Sequence, residues 1–134
     1  MRYCLDTRFL FAIAEKNKRH EEMFESFYKG FHYVVLPTVC VSEFVSRAHT
    51  LGKDRKGISS VITKFIDLNR SQMLFNIEGL SVKVAIEAGK LQHRYRMSLG
   101  DSIVAATALD RKCNFIITDD PDFKAVRNVV KTIF

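Results

Sequence analysis

The chain has 134 residues, 47% apolar and 27% charged, and its 21 Lys and Arg against 15 Asp and Glu give a net charge of +6. Six glycines and two prolines leave no low-complexity linker, and no apolar run reaches the roughly 18 to 20 residues of a membrane-spanning helix. Cys4, Cys40 and Cys113 form no C-x-x-C pair, so disorder, a disulfide scaffold, a thiolate zinc site and an integral helical membrane protein are all disfavoured. The expectation is a single domain over 1–134 in a reducing cytoplasm, with a basic excess that favours a polyanionic partner.

Tyr3-Cys4-Leu5 reads as a buried strand ended by Asp6-Thr7, and Phe9 to Ala14 as a helix rather than the core of a leader peptide, since the run is short and Asp6 precedes it. Between Lys16 and Lys29 alternating charges surround Met23, Phe24, Phe27 and Tyr28, the pattern of a surface helix. Phe31 to Leu36 is aromatic and β-branched and stops at Pro37, which marks a second strand. Thr38 is placed to cap a helix carrying Val41, Phe44, Val45 and Ala48.

Lys53-Asp54-Arg55-Lys56-Gly57 reads as a basic loop, and Ile58, Val61, Ile62, Phe65 and Ile66 then recur at helical spacing. Met73 to Ile77 is a short strand, and Ser81 to Tyr95 a helix expected to turn Val82, Ala85, Ile86 and Gly89 to the core. Ser102 to Leu109 is apolar nearly all round, as a helix buried on both flanks would be. Asn114 to Thr118 and Val129 to Ile133 complete the strands. Strands alternating with helices imply a three-layer α/β/α sandwich around a mainly parallel sheet.

In such sheets ligands bind beyond the carboxyl ends of the strands, where strand order reverses. Asp6 ends the first strand, Asp119, Asp120 and Asp122 follow the fourth, Glu43 lies early in the third helix, and Asp101 opens the buried helix. Each acid also has a plainer role. Asp6 can cap the next helix, Glu43 can pair with Arg47 four residues on, Ser98-Leu99-Gly100-Asp101 fits a capping box, and Asp120-Pro121 fits an N-cap followed by proline. Together, however, carboxylates about 4 Å apart repel by about 4 kcal/mol at an effective dielectric near 20, so their convergence calls for a cation. Mg²⁺ or Mn²⁺, hard ions that prefer oxygen ligands, would supply it.

Leu5-Asp6-Thr7, Ser42-Glu43, the run from Gly100-Asp101-Ser102 to Ala108, and Ile116-Ile117-Thr118-Asp119-Asp120-Pro121-Asp122-Phe123 occur in an order that resembles the PIN-domain ribonucleases, and among them the VapC-like toxins. The resemblance spans essentially the whole chain. It implies that Asp6, Glu43, Asp101 and Asp120 are the four catalytic acids and metal ligands, with Asp122 an auxiliary acid; Asp119, a further acid beside Asp120 and a candidate ligand in its place, departs from the family pattern. A PIN-like fold, RNA phosphodiester hydrolysis with Mg²⁺ or Mn²⁺, a homodimer and a small inhibiting antitoxin are implied with them. The place after Asp6-Thr7, often a small polar residue in the family, is here Arg8.

Setting the six clustered acids aside leaves nine acids against 21 bases, an acidic pocket in a basic surround that suits an anionic strand. Thr7, Arg8, Arg47, Lys53, Arg55, Lys56 and Thr118 are the expected substrate contacts, with Arg94 and Arg96 around Tyr95 as further phosphate candidates. His20, His32, His49 and His93 have no metal-ligand spacing, and no P-loop or G-x-G-x-x-G fingerprint occurs. A noncatalytic metal-binding switch of receiver type, or an RNA-binding module of the same fold, stays open beside the nuclease reading.

Overall fold

The strand-forming runs are short and rich in Val, Leu, Ile and Phe, as suits strands covered on both faces. In a computed structural model, which describes residues 1–134, they form β1 (Arg2–Leu5), β2 (Tyr33–Pro37), β3 (Phe75–Glu78), β4 (Phe115–Ile117) and β5 (Lys131–Ile133). The helices are α1 (Thr7–Ala14), α2 (Lys18–Tyr28), α3 (Thr38–Thr50), α4 (Arg55–Ser71), α5 (Val82–Tyr95) and α6 (Leu99–Asp110), and a 3-10 turn over Pro121–Val126 follows β4.

The sheet runs β3-β2-β1-β4-β5 with every pairing parallel, Tyr3 lying between Val34 and Phe115. Parallel neighbours require crossovers. Right-handed ones put α1 to α4, which serve the march from β1 to β3, on one face, and α5 and α6, which carry the chain back to β4, on the other. The packing agrees: α1 meets α2, α3 and α4, while α5 packs on α6 and α6 on β1, β2 and β4. This is the expected α/β/α sandwich, with a sheet that is wholly rather than mainly parallel. Its direction of travel reverses between β1 and β4, which opens a crevice beyond their carboxyl ends.

Leu5, Val35, Leu36, Ile116 and Ile117 form the buried centre of the sheet. On the α1–α4 side aromatic rings knit the layers together, Phe9 with Phe27 at 5.9 Å between centroids, Phe24 with Phe65 at 5.1 Å and Phe65 with Phe75 at 6.2 Å. Truncating such a buried ring to alanine typically costs about 3 to 5 kcal/mol. On the other side Ser102 to Ala108 of α6 are all buried between sheet and α5, as the composition of that segment requires.

Several sequence expectations need correction. The core face of α5 is Val84, Ala88 and Leu91, whereas Val82 is 78% and Ile86 57% exposed and Ala85 and Gly89 also face solvent. The helix carries two apolar stripes at helical spacing, and periodicity alone does not choose between them. Lys53 to Gly57 is only half a loop, because Asp54 accepts from the Gly57 amide at 2.7 Å and starts α4 at Arg55. Pro37, not Thr38, stands at the N-cap position of α3. The second and third strands begin later than expected, leaving Phe31, Met73 and Leu74 exposed. No helix is long and apolar enough to cross a membrane, and all three cysteines are free thiols.

Candidate metal centre

The crevice between β1 and β4 receives acids from four stretches of chain. Asp6 leaves β1 at the N-cap position of α1 but makes no cap bond with its side chain. Instead its Oδ2 accepts from Thr118 Oγ1 at 2.8 Å, and the same hydroxyl oxygen accepts from the Asp120 amide at 3.0 Å. One buried threonine thus ties the end of β1 to the turn after β4. Asp120 in turn caps the 3-10 turn, accepting from the Asp122 amide at 2.9 Å, and Pro121 needs no donor of its own there.

Asp101 sits in the first turn of α6, its amide donating to Ser98 Oγ at 3.2 Å. Glu43 projects from α3 and pairs with Arg47 Nη2 at 3.2 Å. The two helices come close here, and a Cβ at Gly100 would meet the Glu43 carboxylate and oblige that side chain to shift. Of the plainer roles, the Ser98 and Asp120 caps and the Glu43–Arg47 pair are therefore real, and the Asp6 cap is not. None of these bonds neutralises the cluster as a whole.

The electrostatics record that deficit. Burial pushes the Asp101 carboxyl up to about 6, and repulsion from Asp6, Asp120 and Glu43 adds to it against the Ser98 hydroxyl. Burial also raises Asp6, with the charge of Asp120 adding and the Thr118 hydrogen bond opposing. Glu43 is raised by burial and by Asp6 and Asp120, and Arg47 only partly offsets this. Asp6, Glu43, Asp101 and Asp120 thus feel one another as a group.

Within it, Asp101, Asp120 and Asp122 each offer a carboxylate oxygen, all three lying within 4.8 Å of one another. Beside Asp6, the Thr7 Oγ1 is buried and has no hydrogen-bond partner. A donor set made only of oxygens, repelling itself and partly desolvated, fits a hard divalent cation such as Mg²⁺ or Mn²⁺. Asp6 and Glu43 stand outside the tight trio and act on it by charge.

Asp119 is turned the other way, its Oδ1 held 2.8 Å from Arg8 Nε at the exposed rim. β4 has already ended at Ile117, so the alternation of a strand does not decide between the two acids; the Thr118 hydroxyl, accepting from the Asp120 amide, fixes Asp120 at the crevice. Among the expected substrate contacts, Arg8 and Arg47 are at the rim, paired with Asp119 and Glu43. Thr7 and Thr118 are buried, so their hydroxyls serve the interior of the site. Lys53, Arg55 and Lys56 are exposed on the α3–α4 connection and the start of α4 and form no ion pair with the acids. Sequence reasoning missed the Thr118 bridge, although a threonine at a strand end just before Asp-Asp-Pro is a typical side-chain-to-backbone turn signal.

The PIN domain family model matches residues 3–129. No functionally curated protein matches the sequence. Among solved structures, the matched chain of VapBC2 from Rickettsia felis bound to a promoter DNA fragment is 16% identical, with a TM-score of 0.70 over 99% of this chain and 98% of that one. FitAcB from Neisseria gonorrhoeae is 20% identical with a TM-score of 0.67, over 98% of this chain and 96% of that one. VapBC-1 from nontypeable Haemophilus influenzae is 16% identical with a TM-score of 0.67, over 99% and 97% respectively. A family match over nearly the whole length, on a fold whose switch point gathers these acids, means that the chain belongs to the PIN domain family.

Proposed function

We propose that the protein is a Mg²⁺- or Mn²⁺-dependent endoribonuclease, the toxin of a VapBC-type toxin–antitoxin pair acting in a reducing cytoplasm. The observation that carries this reading is the convergence of Asp6, Glu43, Asp101, Asp120 and Asp122 on one oxygen-only crevice at the sheet switch point, where burial raises the carboxyls of Asp6, Glu43 and Asp101. Asp101, Asp120 and Asp122 would hold the ion, with Asp6 and Glu43 beside it supplying further negative charge, while Asp119 is engaged by Arg8 at the rim. The ion, when bound, activates a water for attack on phosphorus and stabilises the charge that develops on the phosphate oxygens.

The chain's own residues position the rest. Thr118 keeps Asp6 and Asp120 in register, Ser98 and Gly100 set Asp101 against Glu43, and the basic side chains Arg8, Arg47, Lys53, Arg55 and Lys56 receive the backbone of a single-stranded RNA. The solved relatives come from VapBC and FitAB complexes, which supports a small antitoxin that covers the acidic crevice. The exposed stripe of Val82 and Ile86 on α5 supports self-association into a homodimer through that face.

Incubating single-stranded RNA with the protein in Mn²⁺ and in EDTA tests the reading directly. Internal cleavage in the first and none in the second is expected. Cleavage that persists in chelator would overturn the metal mechanism.

A further inference from the structure

A second cavity opens directly beside the acidic crevice. It has a volume of about 370 Å³ and lies where α1, the start of α2 and the end of α3 approach the turn after β4. Ligand sites for small molecules begin at about 300 Å³, so there is room for one nucleotide and little more. Resting on the ribonuclease reading above, we propose that this cavity is the subsite for the nucleotide next to the scissile phosphate. The substrate class is single-stranded RNA.

The two departures noted in the acidic motif account for each other here. Arg8 and Asp119, 111 positions apart, form a 2.8 Å ion pair that builds the wall shared by crevice and cavity. Arg47 forms the opposite part of that wall and is anchored to Glu43. Arg8 uses only Nε in its pair and Arg47 only one Nη, so the remaining N–H groups of both guanidiniums have no protein partner. Two oriented arginines with spare donors, fixed by carboxylates of the site itself, are placed to hold the phosphate that follows or precedes the cleaved one.

The rest of the cavity, whose lining includes the exposed carboxylate of Glu15, suits a base rather than a second phosphate. Phe11, Ala12 and Leu51 supply an apolar wall, with Phe11 braced edge-on against Phe44 at 4.9 Å. His20 lies opposite, its ring resting on Phe9 at 5.3 Å and on Phe134 at 4.9 Å. Asn17 Oδ1 fixes that ring, meeting Nδ1 at 2.8 Å while accepting from the His20 amide at 3.2 Å. Asn17 is left with an amide nitrogen that bonds nothing in the protein. An immobilised ring, an apolar wall and a spare amide are what base-stacking sites on single strands use.

The test compares the parent protein with Leu51→Glu, Ala12→Leu and the control Met73→Glu. Leu51 is 69% exposed and Met73 95%, so both charge changes leave the core untouched, and Met73 lines no part of the cavity. A short fluorescein-labelled single-stranded RNA is titrated in EDTA, and its cleavage is followed in Mn²⁺. Leu51→Glu and Ala12→Leu should weaken binding about tenfold and raise KM by a similar factor, with kcat kept within about threefold and Met73→Glu close to the parent. If the parent cleaves but the cavity variants match Met73→Glu, the subsite is wrong and the nuclease reading stands. If the parent binds RNA without cleaving and the cavity variants still weaken binding, the subsite stands and the nuclease reading falls. A parent that binds no RNA overturns the subsite and leaves the cavity to a protein segment instead.

Discussion

Two charge clusters in this molecule are built on opposite rules. Around Arg111, at the end of α6, every acid has a cation: Glu78 lies 2.7 Å from Arg111 Nε, and Asp110 lies 3.0 Å from Lys83 and 3.8 Å from Arg111. Arg2 completes that network by donating to the Arg111 carbonyl at 2.7 and 2.9 Å while lying over the Tyr33 ring. In the crevice, by contrast, Asp6, Asp101 and Asp120 face one another, and Arg47 offsets Glu43 alone. A cluster that closes its own charge serves the fold, whereas one that leaves charge over is arranged for something that comes from outside.

The sharpest way to break this contrast is Asp101→Asn, which keeps the size of the side chain and removes its charge. Cleavage should fall at least about 100-fold, the usual loss when a charge-stabilising group is removed. In EDTA, melting should stay within a few degrees of the parent or rise, since repulsion is relieved, and the upward shift given by Mn²⁺ should vanish. A variant that melts clearly lower yet cleaves at the parental rate would reduce Asp101 to a helix-end residue. Gly100→Ala attacks the same cluster through space, since the added methyl must displace the Glu43 carboxylate. Activity is expected to drop about tenfold with a smaller loss of stability, and unaltered cleavage would show that Glu43 is free to move.

Arg111→Ala should do the reverse. It removes the partner of Glu78 and one of the two cations near Asp110. Because such half-exposed pairs contribute about 0 to 1 kcal/mol each, melting should fall by a few degrees while the Mn²⁺ shift is unchanged. A lost Mn²⁺ response in this variant would join the two clusters into one.

Acidity gives a smaller effect with a definite sign. A carboxyl whose folded-state value lies above its unfolded one binds protons more tightly when folded, so folding is favoured at low pH and that advantage disappears as pH rises. For Asp101 the window runs from its ordinary value of 3.8 to about 6, with Asp6 and Glu43 shifted in the same direction. The metal-free protein should therefore lose stability across that window, and Mn²⁺ should restore it at the upper end. A melting temperature that rises from pH 4 to 6 in EDTA would contradict the described electrostatics. The smallest effect is expected from the triple change Lys53→Ala, Arg55→Ala and Lys56→Ala. If these residues meet the strand, the salt dependence of RNA binding flattens by about 0.7 in slope per lost contact.

Much of the architecture was legible because each element repeats its period often enough to be read, as in Ile58 to Ile66 of α4 or the all-apolar α6. The four acidic stretches were legible for another reason, since each stands at the end of a strand or the start of a helix, and topology sends those ends to one place. What escaped depends on contacts between distant segments. Nothing near Val82 indicates that Val84, Ala88 and Leu91 win the core, because both stripes satisfy helical spacing. Nothing near Arg8 names Asp119 as its partner, and that pair builds the side of the cavity that borders the crevice. The choice between Asp119 and Asp120 likewise hangs on the Thr118 hydroxyl, a bond that bridges 112 positions of sequence.

That hydroxyl gives the site a built-in reporter. The Asp120 amide is held by a side chain instead of by a neighbouring strand, and the same oxygen is tethered to Asp6. Its exchange with deuterium therefore measures how often β1 and the turn after β4 part company, separately from the opening of the sheet itself. Followed by NMR while Mn²⁺ is replaced by diamagnetic Mg²⁺, that single proton would read the readiness of the whole crevice from one resonance.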